Sequence, residues 1–386
     1  MRPMSLSALI QTVHEQVPDM HRLTQRWVEV NSFSTHLAGV NAMADALQSA
    51  FSLAELSARR EPGGPGSGDH LFWSTAAAKQ TPPVLLIGHH DTVFPPGSFE
   101  GWQQAAGRAR GPGCFDMKGG LSLIWGVLST FARHGLLARL PVVVASVADE
   151  EVGSRDSRPH LEALARGAAC ALVFESGRSQ DQIVTRRRGT GVMQAVASGK
   201  AAHAGNAYRE GANAIWALAR FIDFAQAESV PERGLTVNVG TVSGGTSANT
   251  VPARAEALLD LRFDTLADAQ ALIERLRAGA AALSVPGTSI LLEGGINRRP
   301  LERSPAAEEL YRAYAQAQRA AGLGDGEHPL VGGGSDANTV SGVGLPAIDG
   351  LGPRGGGFHT LDEYVELDSF GPKAEALLRF LYERLR

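Results

Sequence analysis

The chain has 386 residues, of which 44% are hydrophobic and 20% are charged, and its net charge is −4. This length is too great for one ordinary core, and the composition is typical of a soluble globular protein, so two domains are expected. The chain has no block of Lys or Arg that would indicate a nucleic-acid partner, and no run of about 18 apolar residues that would indicate a membrane span.

The two cysteines, Cys114 and Cys170, exclude a disulfide framework and a cysteine-type zinc site. Residues 1–16 lack the charged and apolar segments of a signal peptide. Together these features predict a cytoplasmic protein.

Helices are predicted first along the chain, over residues 5–55. Apolar residues there recur at helical spacing, which indicates two amphipathic stripes. The members of these stripes are Leu6, Leu9, Ile10, Val13 and Val17, then Val40, Met43, Ala44 and Leu47. Residues 62–69 are rich in Gly and Pro and predict a turn or loop.

Three continuous apolar runs follow, at residues 83–88, 141–148 and 169–174, and each run ends in ionisable side chains. Such runs indicate buried parallel strands, and ligands of open α/β sheets bind where the strands end. The side chains at the three ends are His89, then Glu150 and Glu151, then Glu175. Like charges gathered at one edge need a cation, so the pattern predicts a metal site, with two metals.

Asp116 lies in a glycine-rich turn, residues 111–120, which opens a helix that we expect to end at Gly135. The neighbouring glycines permit a close backbone approach, and a carboxylate can bridge two cations. The alternative is an N-cap for the helix. A dinucleotide-binding loop is discounted, because Asp116 stands where its third glycine should be.

The other candidate residues each have a plain alternative. His89 also fits a strand-end turn in which Asp91 is an N-cap, and the glutamates after the second strand also fit a solvated acidic loop. Glu175 also fits a surface acid, and His203 fits an ordinary turn histidine.

The third quarter of the chain changes character. Strands are predicted near residues 191–198, 235–243, 253–263 and 288–293, with helices after the first and third of them. The order β-α-β-β-α-β is that of a ferredoxin-like unit. Because glycine-rich loops with further candidate residues follow it, we expect an inserted domain at 190–296, between catalytic-domain segments 1–189 and 297–386.

These segments together resemble the dinuclear zinc exopeptidases and deacylases, which include glutamate carboxypeptidase, aminoacylase, acetylornithine deacetylase and succinyl-diaminopimelate desuccinylase. The resemblance spans residues 80–365 roughly, in the family's order, and favours the glutamate-carboxypeptidase members. It is carried by Gly88-His89-His90-Asp91-Thr92-Val93, Gly111-Pro112-Gly113-Cys114-Phe115-Asp116-Met117-Lys118-Gly119-Gly120, Asp149-Glu150-Glu151-x-Gly153-Ser154, Ser198-Gly199-Lys200-Ala201-Ala202-His203-Ala204-Gly205, Gly333-Gly334-Ser335-Asp336 and His359.

The resemblance implies an α/β fold: a zinc-exopeptidase-like catalytic domain with a mixed, largely parallel sheet, plus an inserted ferredoxin-like α+β domain for dimerisation. It implies two divalent metals, Zn²⁺ or else Co²⁺ or Mn²⁺, with a hydroxide between them. The implied ligands are His89, Asp116 and Glu175 for one metal and Asp116, Glu151 and His359 for the other, with Asp116 bridging.

The resemblance also implies the remaining roles. Glu150 is the general base and Asp91 supports His89. From the inserted domain of a homodimer, His203 reaches the partner's active site and polarises the substrate carbonyl. Asn249 and Arg262 contact the substrate's carboxylate, and the backbone of Gly334 meets the substrate.

The expected function is hydrolysis of an amide bond in a small peptide or N-acyl amino acid with a free carboxylate, most simply by a carboxypeptidase. The alternatives are an N-acyl-amino-acid deacylase and a metal-free binding protein on the same fold. The retained Glu150 and the intact ligand set argue against the binding protein, and no nucleic-acid or membrane partner is expected.

Overall fold

The computed structural model describes residues 5–283 and 285–385. Contacts divide the chain into two compact units. The first unit comprises three segments: the chain up to Thr185, Arg303–Leu330, and the chain from Ser335 onward. The second unit comprises Arg186–Glu302 and Val331–Gly334. The domain boundaries expected from the sequence stay predictions, because a compact unit defined by contacts is not necessarily an independent folding domain.

The strands are numbered in chain order over the described residues. They are β1 (Leu56–Glu61), β2 (His70–Thr75), β3 (Val84–His89), β4 (Gln103–Ala105), β5 (Arg108–Arg110), β6 (Val142–Val147), β7 (Cys170–Val173), β8 (Gly189–Ser198), β9 (Ala202–His203), β10 (Thr236–Gly244), β11 (Thr250–Val251), β12 (Arg254–Phe263), β13 (Ser289–Arg298), β14 (Ala347–Ile348), β15 (Gly355–Gly356) and β16 (Tyr364–Glu366).

The helices are numbered in the same way. They are α1 (Leu6–Glu15), α2 (Val17–Val28), α3 (Leu37–Ala50), α4 (Gly119–Arg133), α5 (Arg158–Ala165), α6 (Ala214–Ala227), α7 (Leu266–Ala282), α8 (Pro305–Ala320), α9 (Asp336–Ser341) and α10 (Phe370–Tyr382). No helix among the described residues is both long enough and apolar enough to cross a membrane.

The first unit contains a six-stranded mixed sheet in the order β1-β2-β6-β3-β7-β14. The β6-β3, β3-β7 and β7-β14 pairs are parallel, and the β1-β2 and β2-β6 pairs are antiparallel. In the register of the central pair His89 stands opposite Val147, so the loops after β3 and β6 begin side by side. The mixed, largely parallel sheet expected from the sequence is confirmed.

Burial explains why the central strands read as continuous apolar runs. Every residue of β3 and β6 is buried, since helices cover the sheet. Helix α4 is buried along most of its length and ends as predicted, with Gly135 at a φ of 64°. The N–H of Gly135 donates to Ala132 and that of Leu136 to Phe131, which is the Schellman arrangement.

The β1-β2 hairpin was missed by the sequence analysis. Strand β1 lies at the sheet edge, and its residues are exposed or half-buried. Its sequence, Leu-Ser-Ala-Arg-Arg-Glu, therefore shows neither the apolar run nor the alternation that indicates a strand.

The second unit contains an antiparallel sheet in the order β10-β12-β8-β13. Buried and exposed residues alternate along β12, as expected for a sheet with one covered face. Helices α6 and α7 supply Leu218, Phe221, Leu272 and Leu276 to the core on that face. The expected ferredoxin-like order of strands and helices is present in this unit.

Candidate metal centre

Asp116 lies in a tight turn of the first unit, just before α4. The turn begins with Gly113 at a φ of 73°, a conformation that favours glycine, and the peptide bond between Asp116 and Met117 is cis. A Cβ on Gly113 would also lie 2.6 Å from Thr92 Cγ2. Because α4 begins at Gly119, with Lys118 at the cap position, the N-cap alternative for Asp116 is wrong.

The two carboxylate oxygens of Asp116 face two different groups of side chains. Oδ1 lies 3.2 Å from Nε2 of His89, and that nitrogen lies 3.8 Å from Oε1 of Glu175. Oδ2 lies 3.4 Å from Nε2 of His359, and that nitrogen lies 3.1 Å from Oε2 of Glu151. The five side chains that the sequence analysis expected as ligands are therefore together, in two groups that share Asp116.

Glu150 lies next to the first of these groups. Its carboxylate, His89 and Glu175 each offer a donor atom within 4.8 Å of the others, as do His89, Asp116 and Glu151. Adjacent glutamates of one short turn thus contribute to both sides of the cluster.

The cluster is closed on most sides. The exposed side-chain fraction is 1% for His89 and 10% for Asp116 and Glu175, and it is 6% for Glu151. For His359 it is 47%. The His359 side is therefore open to solvent within the first unit, where a small molecule can approach.

The pKa shifts of the cluster side chains show that negative charge is crowded there. Burial, together with the charge on Asp116, raises the pKa of Glu151 and that of Glu175. Burial disfavours the charged form of His89, but the nearby carboxylates favour that form more strongly, so the pKa of His89 is raised. Hydrogen bonds that the His359 imidazolium donates to Asp116 and Glu151 raise the pKa of His359.

This donor set fits two divalent cations. Three buried carboxylates gathered around two histidines are costly without compensating positive charge. Neutral imidazoles and carboxylates are ligands that Zn²⁺, Co²⁺ and Mn²⁺ accept. A carboxylate with one oxygen toward each group can bridge two ions.

Asp91 has more contacts than the sequence suggested. Nδ1 of His89 lies 3.0 Å from the backbone oxygen of Asp91 and 3.4 Å from its carboxylate. The carboxylate also accepts hydrogen bonds from Ser34 Oγ at 2.7 Å and from the backbone N–H groups of Glu150 and Glu151, at 3.2 and 3.1 Å. Asp91 therefore holds both the His89 ring and the glutamate turn.

Glu363 is a buried residue of the site region that the sequence analysis missed. Its Oε1 accepts the backbone N–H groups of Phe115 and Asp116 at 2.9 and 3.0 Å, and its Oε2 accepts that of Gly113 at 3.1 Å. Burial raises its pKa to about 7. In the sequence it is one acid of a polar segment, and its position four residues after His359 is the only available signal.

The other candidate residues belong to the second unit. His203, on β9, is exposed, and its Nδ1 accepts N–H groups of Gly205 and Asn206 at 3.1 Å each. Asn249 directly precedes β11, which pairs with β9, so these two residues are neighbours. The Gly334 position ends this unit's last segment.

Arg262, on β12, forms a two-point ion pair with Asp260. Its Nε lies 2.8 Å from Oδ2 and its Nη2 lies 3.1 Å from Oδ1. Such a pair is what an arginine with a purely structural role at the surface would form, so the contribution of Arg262 to carboxylate binding needs a direct test.

Comparison with known proteins identifies the family to which this chain belongs. A sequence model of peptidase family M20/M25/M40 matches residues 85–383. Carboxypeptidase G2 of Pseudomonas sp. (strain RS-16) is 25% identical over 94% of this chain and 88% of its own length. A succinyl-diaminopimelate desuccinylase of Acidovorax ebreus is 28% identical over 81% of each chain.

Among solved structures, aminopeptidase PepT from Bacillus cereus superposes with a TM-score of 0.75 at 20% identity, over 96% of this chain and 99% of that one. This likeness confirms the fold. The match of the family model extends from β3 through His359, and so includes every side chain of the cluster. The chain therefore belongs to peptidase family M20/M25/M40 and is a metallo-exopeptidase or amidohydrolase.

Proposed function

We propose that this enzyme is a carboxypeptidase of the glutamate-carboxypeptidase type, which removes the C-terminal residue of a small peptide or N-acylated amino acid. The observation that supports it most is the placement of the two Asp116 oxygens, one toward His89 and one toward His359. The similarity to carboxypeptidase G2 over nearly the whole chain supports the choice of reaction.

In this proposal His89, Asp116 and Glu175 hold one cation, and Asp116, Glu151 and His359 hold the other; Zn²⁺ is the expected metal. When bound, the cations supply Lewis acidity, which polarises the scissile carbonyl and lowers the pKa of water at the site. Asp91 keeps His89 oriented through Nδ1, so that Nε2 faces the cluster.

Glu150 is the proposed general base. Its carboxylate lies within 4.8 Å of donor atoms on His89 and Glu175, a separation that one water can span. Glu150 takes a proton from that water and delivers it to the nitrogen of the leaving amine. The backbone hydrogen bonds from the glutamate turn to Asp91 keep the Glu150 side chain on the cluster.

The second unit is proposed to bind the substrate. His203 donates a hydrogen bond to the scissile carbonyl oxygen of the substrate. Arg262 and Asn249 hold the terminal carboxylate of the substrate, and the backbone of Gly334 contacts the substrate. Holding the carboxylate fixes the distance between the scissile amide and the catalytic side chains.

The enzyme is further proposed to work as a homodimer through the second unit. Strand β10 is an edge strand, and its Val242 is 65% exposed. Trp216 on α6 is 56% exposed, and Tyr208 is 59% exposed. An exposed sheet edge and exposed aromatic side chains in the same unit favour association with an identical chain. A Trp216→Glu change should then give monomers in light scattering, and a fully dimeric variant would count against this face.

N-acyl-amino-acid deacylation is the second candidate, favoured by the likeness to a desuccinylase over most of the chain. It uses the same cluster, and the free carboxylate again lies on the amine side of the scissile amide. The difference is the group on the carbonyl side, which is a simple acyl chain instead of a peptide. A metal-free binding protein is the candidate of another class. The side chains of the cluster are suited to bind metal ions, which argues against a metal-free binding protein.

The test is hydrolysis by metal-stripped and zinc-reconstituted protein. A panel of N-acyl amino acids and dipeptides, each with a free and an amidated C-terminus, is followed by amine release, while elemental analysis counts the bound metal. We expect two metals per chain and turnover of free-acid substrates only by the reconstituted protein. Full activity after stripping would overturn the metal mechanism, and metal binding without any hydrolysis across the panel would favour the binding protein.

A further inference from the structure

The turn that carries Asp116 cannot satisfy its own backbone. Within it, the N–H of Cys114 donates to Gly111 and that of Lys118 donates to Gly113. The N–H groups of Gly113, Phe115 and Asp116 instead donate to the two carboxylate oxygens of Glu363. Buried N–H groups need an acceptor, so Glu363 completes the hydrogen bonding of this turn.

The acceptor itself is held firmly. Glu363 is fully buried, and strand β16 begins at the next residue, where Tyr364 pairs with Arg110 of β5. The backbone N–H of Glu363 donates to Thr360 at 3.2 Å, and that of Thr360 donates to Gly357 at 3.0 Å. The same short segment contains His359, so one turn holds His359 at one end and the Asp116 backbone at the other.

We propose that Glu363 is a positioning residue for the metal centre: its carboxylate fixes the backbone of Gly113–Asp116 and so sets the bridging carboxylate at the right distance from His359. This inference rests on the proposed dimetal function. Without Glu363 the Asp116 turn is free to rearrange, and the two oxygens of Asp116 no longer divide between the two groups.

The chemistry of the acceptor predicts the effects of three substitutions. In Glu363→Gln the amide oxygen can still accept two N–H groups, but the NH₂ group meets the N–H of Gly113 donor to donor. Glu363→Asp keeps the charge on a shorter side chain, and Glu363→Ala removes every acceptor. Asp362→Asn is the matched control, because the side chain of Asp362 is 94% exposed one residue away.

The test compares metal affinity rather than activity alone. Zn²⁺ binding is measured by competition with a chromophoric chelator, and the absorption spectrum of the Co²⁺-loaded protein reports the coordination geometry. The melting temperature of each metal-free variant is recorded in parallel. We expect Glu363→Gln to weaken Zn²⁺ binding by about 10- to 100-fold and to change the cobalt spectrum. Glu363→Asp should bind Zn²⁺ more tightly than Glu363→Gln but less tightly than the wild type. Asp362→Asn should match the wild type in both measurements.

The outcomes separate the two claims. A wild-type protein that binds no metal overturns the proposed function, and this inference with it. If the wild type binds two metals and Glu363→Gln binds them equally well, with an unchanged cobalt spectrum, only the positioning role is lost, even where the melting temperature falls. If Glu363→Gln does not fold, the same comparison with Glu363→Asp decides the matter.

Discussion

Asp91 accepts a hydrogen bond from the backbone N–H of Glu150 over 3.2 Å. The same carboxylate lies 3.4 Å from Nδ1 of His89. A single buried side chain therefore couples the histidine that ends β3 to the glutamate turn that follows β6. Since the two strands are parallel neighbours, their loops are close enough for this contact.

The first prediction separates the two glutamates of that turn. Glu150→Gln should keep both metals and lose about 10²–10⁴ in kcat, because the proton carrier is removed while the cluster stays intact. Glu151→Gln should instead lose metal, because its Oε2 faces His359. Steady-state kinetics and elemental analysis of both variants check this, and near-normal kcat in Glu150→Gln would show that another group is the base.

The second prediction concerns Arg262. Arg262→Ala should lower kcat/KM for free-acid substrates by about 10- to 100-fold, the scale of one or two hydrogen bonds to a charged group. Amidated substrates should be poor for the wild-type enzyme and little changed by the substitution. Arg254→Ala is the control, because Arg254 lies on the same strand and its Nε also pairs with an acid two residues away, Glu256, at 2.8 Å. If kcat/KM fell equally in both variants, Arg262 would have a structural role in the sheet and would not bind the substrate.

The third prediction tests whether His203 acts across a dimer. Chains with His203→Ala are mixed with chains that carry Glu150→Gln, after subunit exchange has been verified by native mass spectrometry. If His203 serves the partner's site, the mixed dimer contains one intact site and should recover part of the activity. Activity that stays at the level of the separate variants would mean that His203 acts within its own chain or not at all.

The fourth prediction is a pH dependence of stability that is independent of the metals. Lys373 is fully buried, with its Nζ 3.5 Å from Oδ1 of Asp181, and burial lowers its pKa to about 8. The unfolded chain therefore binds this proton more tightly than the folded chain does. The charged lysine costs the folded state its full penalty below pH 8, and this penalty fades as the pH rises toward about 10.

Lys373→Met should accordingly raise the free energy of unfolding at pH 7 by about 1–3 kcal/mol, and the gain should shrink toward pH 10. Asp181 keeps its two-point pair with Arg354 in this variant. Urea denaturation at both pH values measures the difference, and Lys79→Met at an exposed position should show none. A gain that does not change with pH would mean that Lys373 titrates normally in the folded chain.

The strand-end residues of the cluster could be predicted from the sequence because their pattern is local. His89 and Glu175 each follow an apolar run directly, so the strand end and the ionisable group are visible together. Parallel pairing then brings such ends to one edge of the sheet. His359 follows no such run, and its place was expected only from the resemblance to known enzymes.

Contacts between segments distant in the chain could not be predicted in this way. Ser34 and Asp91 meet across 57 residues, and Glu363 meets the Asp116 turn across 247. No periodicity links such positions, since each contact follows from the complete fold. The edge strand β1 was missed for a related reason, because an exposed strand at a sheet edge has no buried face to leave a pattern.

The interruption of the first unit between Thr185 and Arg303 has a consequence for the newly made chain. Strand β7 lies between β3 and β14, and β14 arrives only with residues 347–348. Until then the growing polypeptide presents β7 as an open edge, to which another unfinished chain can pair. His359 leaves the ribosome later still, so every nascent chain passes through a stage in which the three acidic residues of the proposed ligand set are made but only one of its two histidines is.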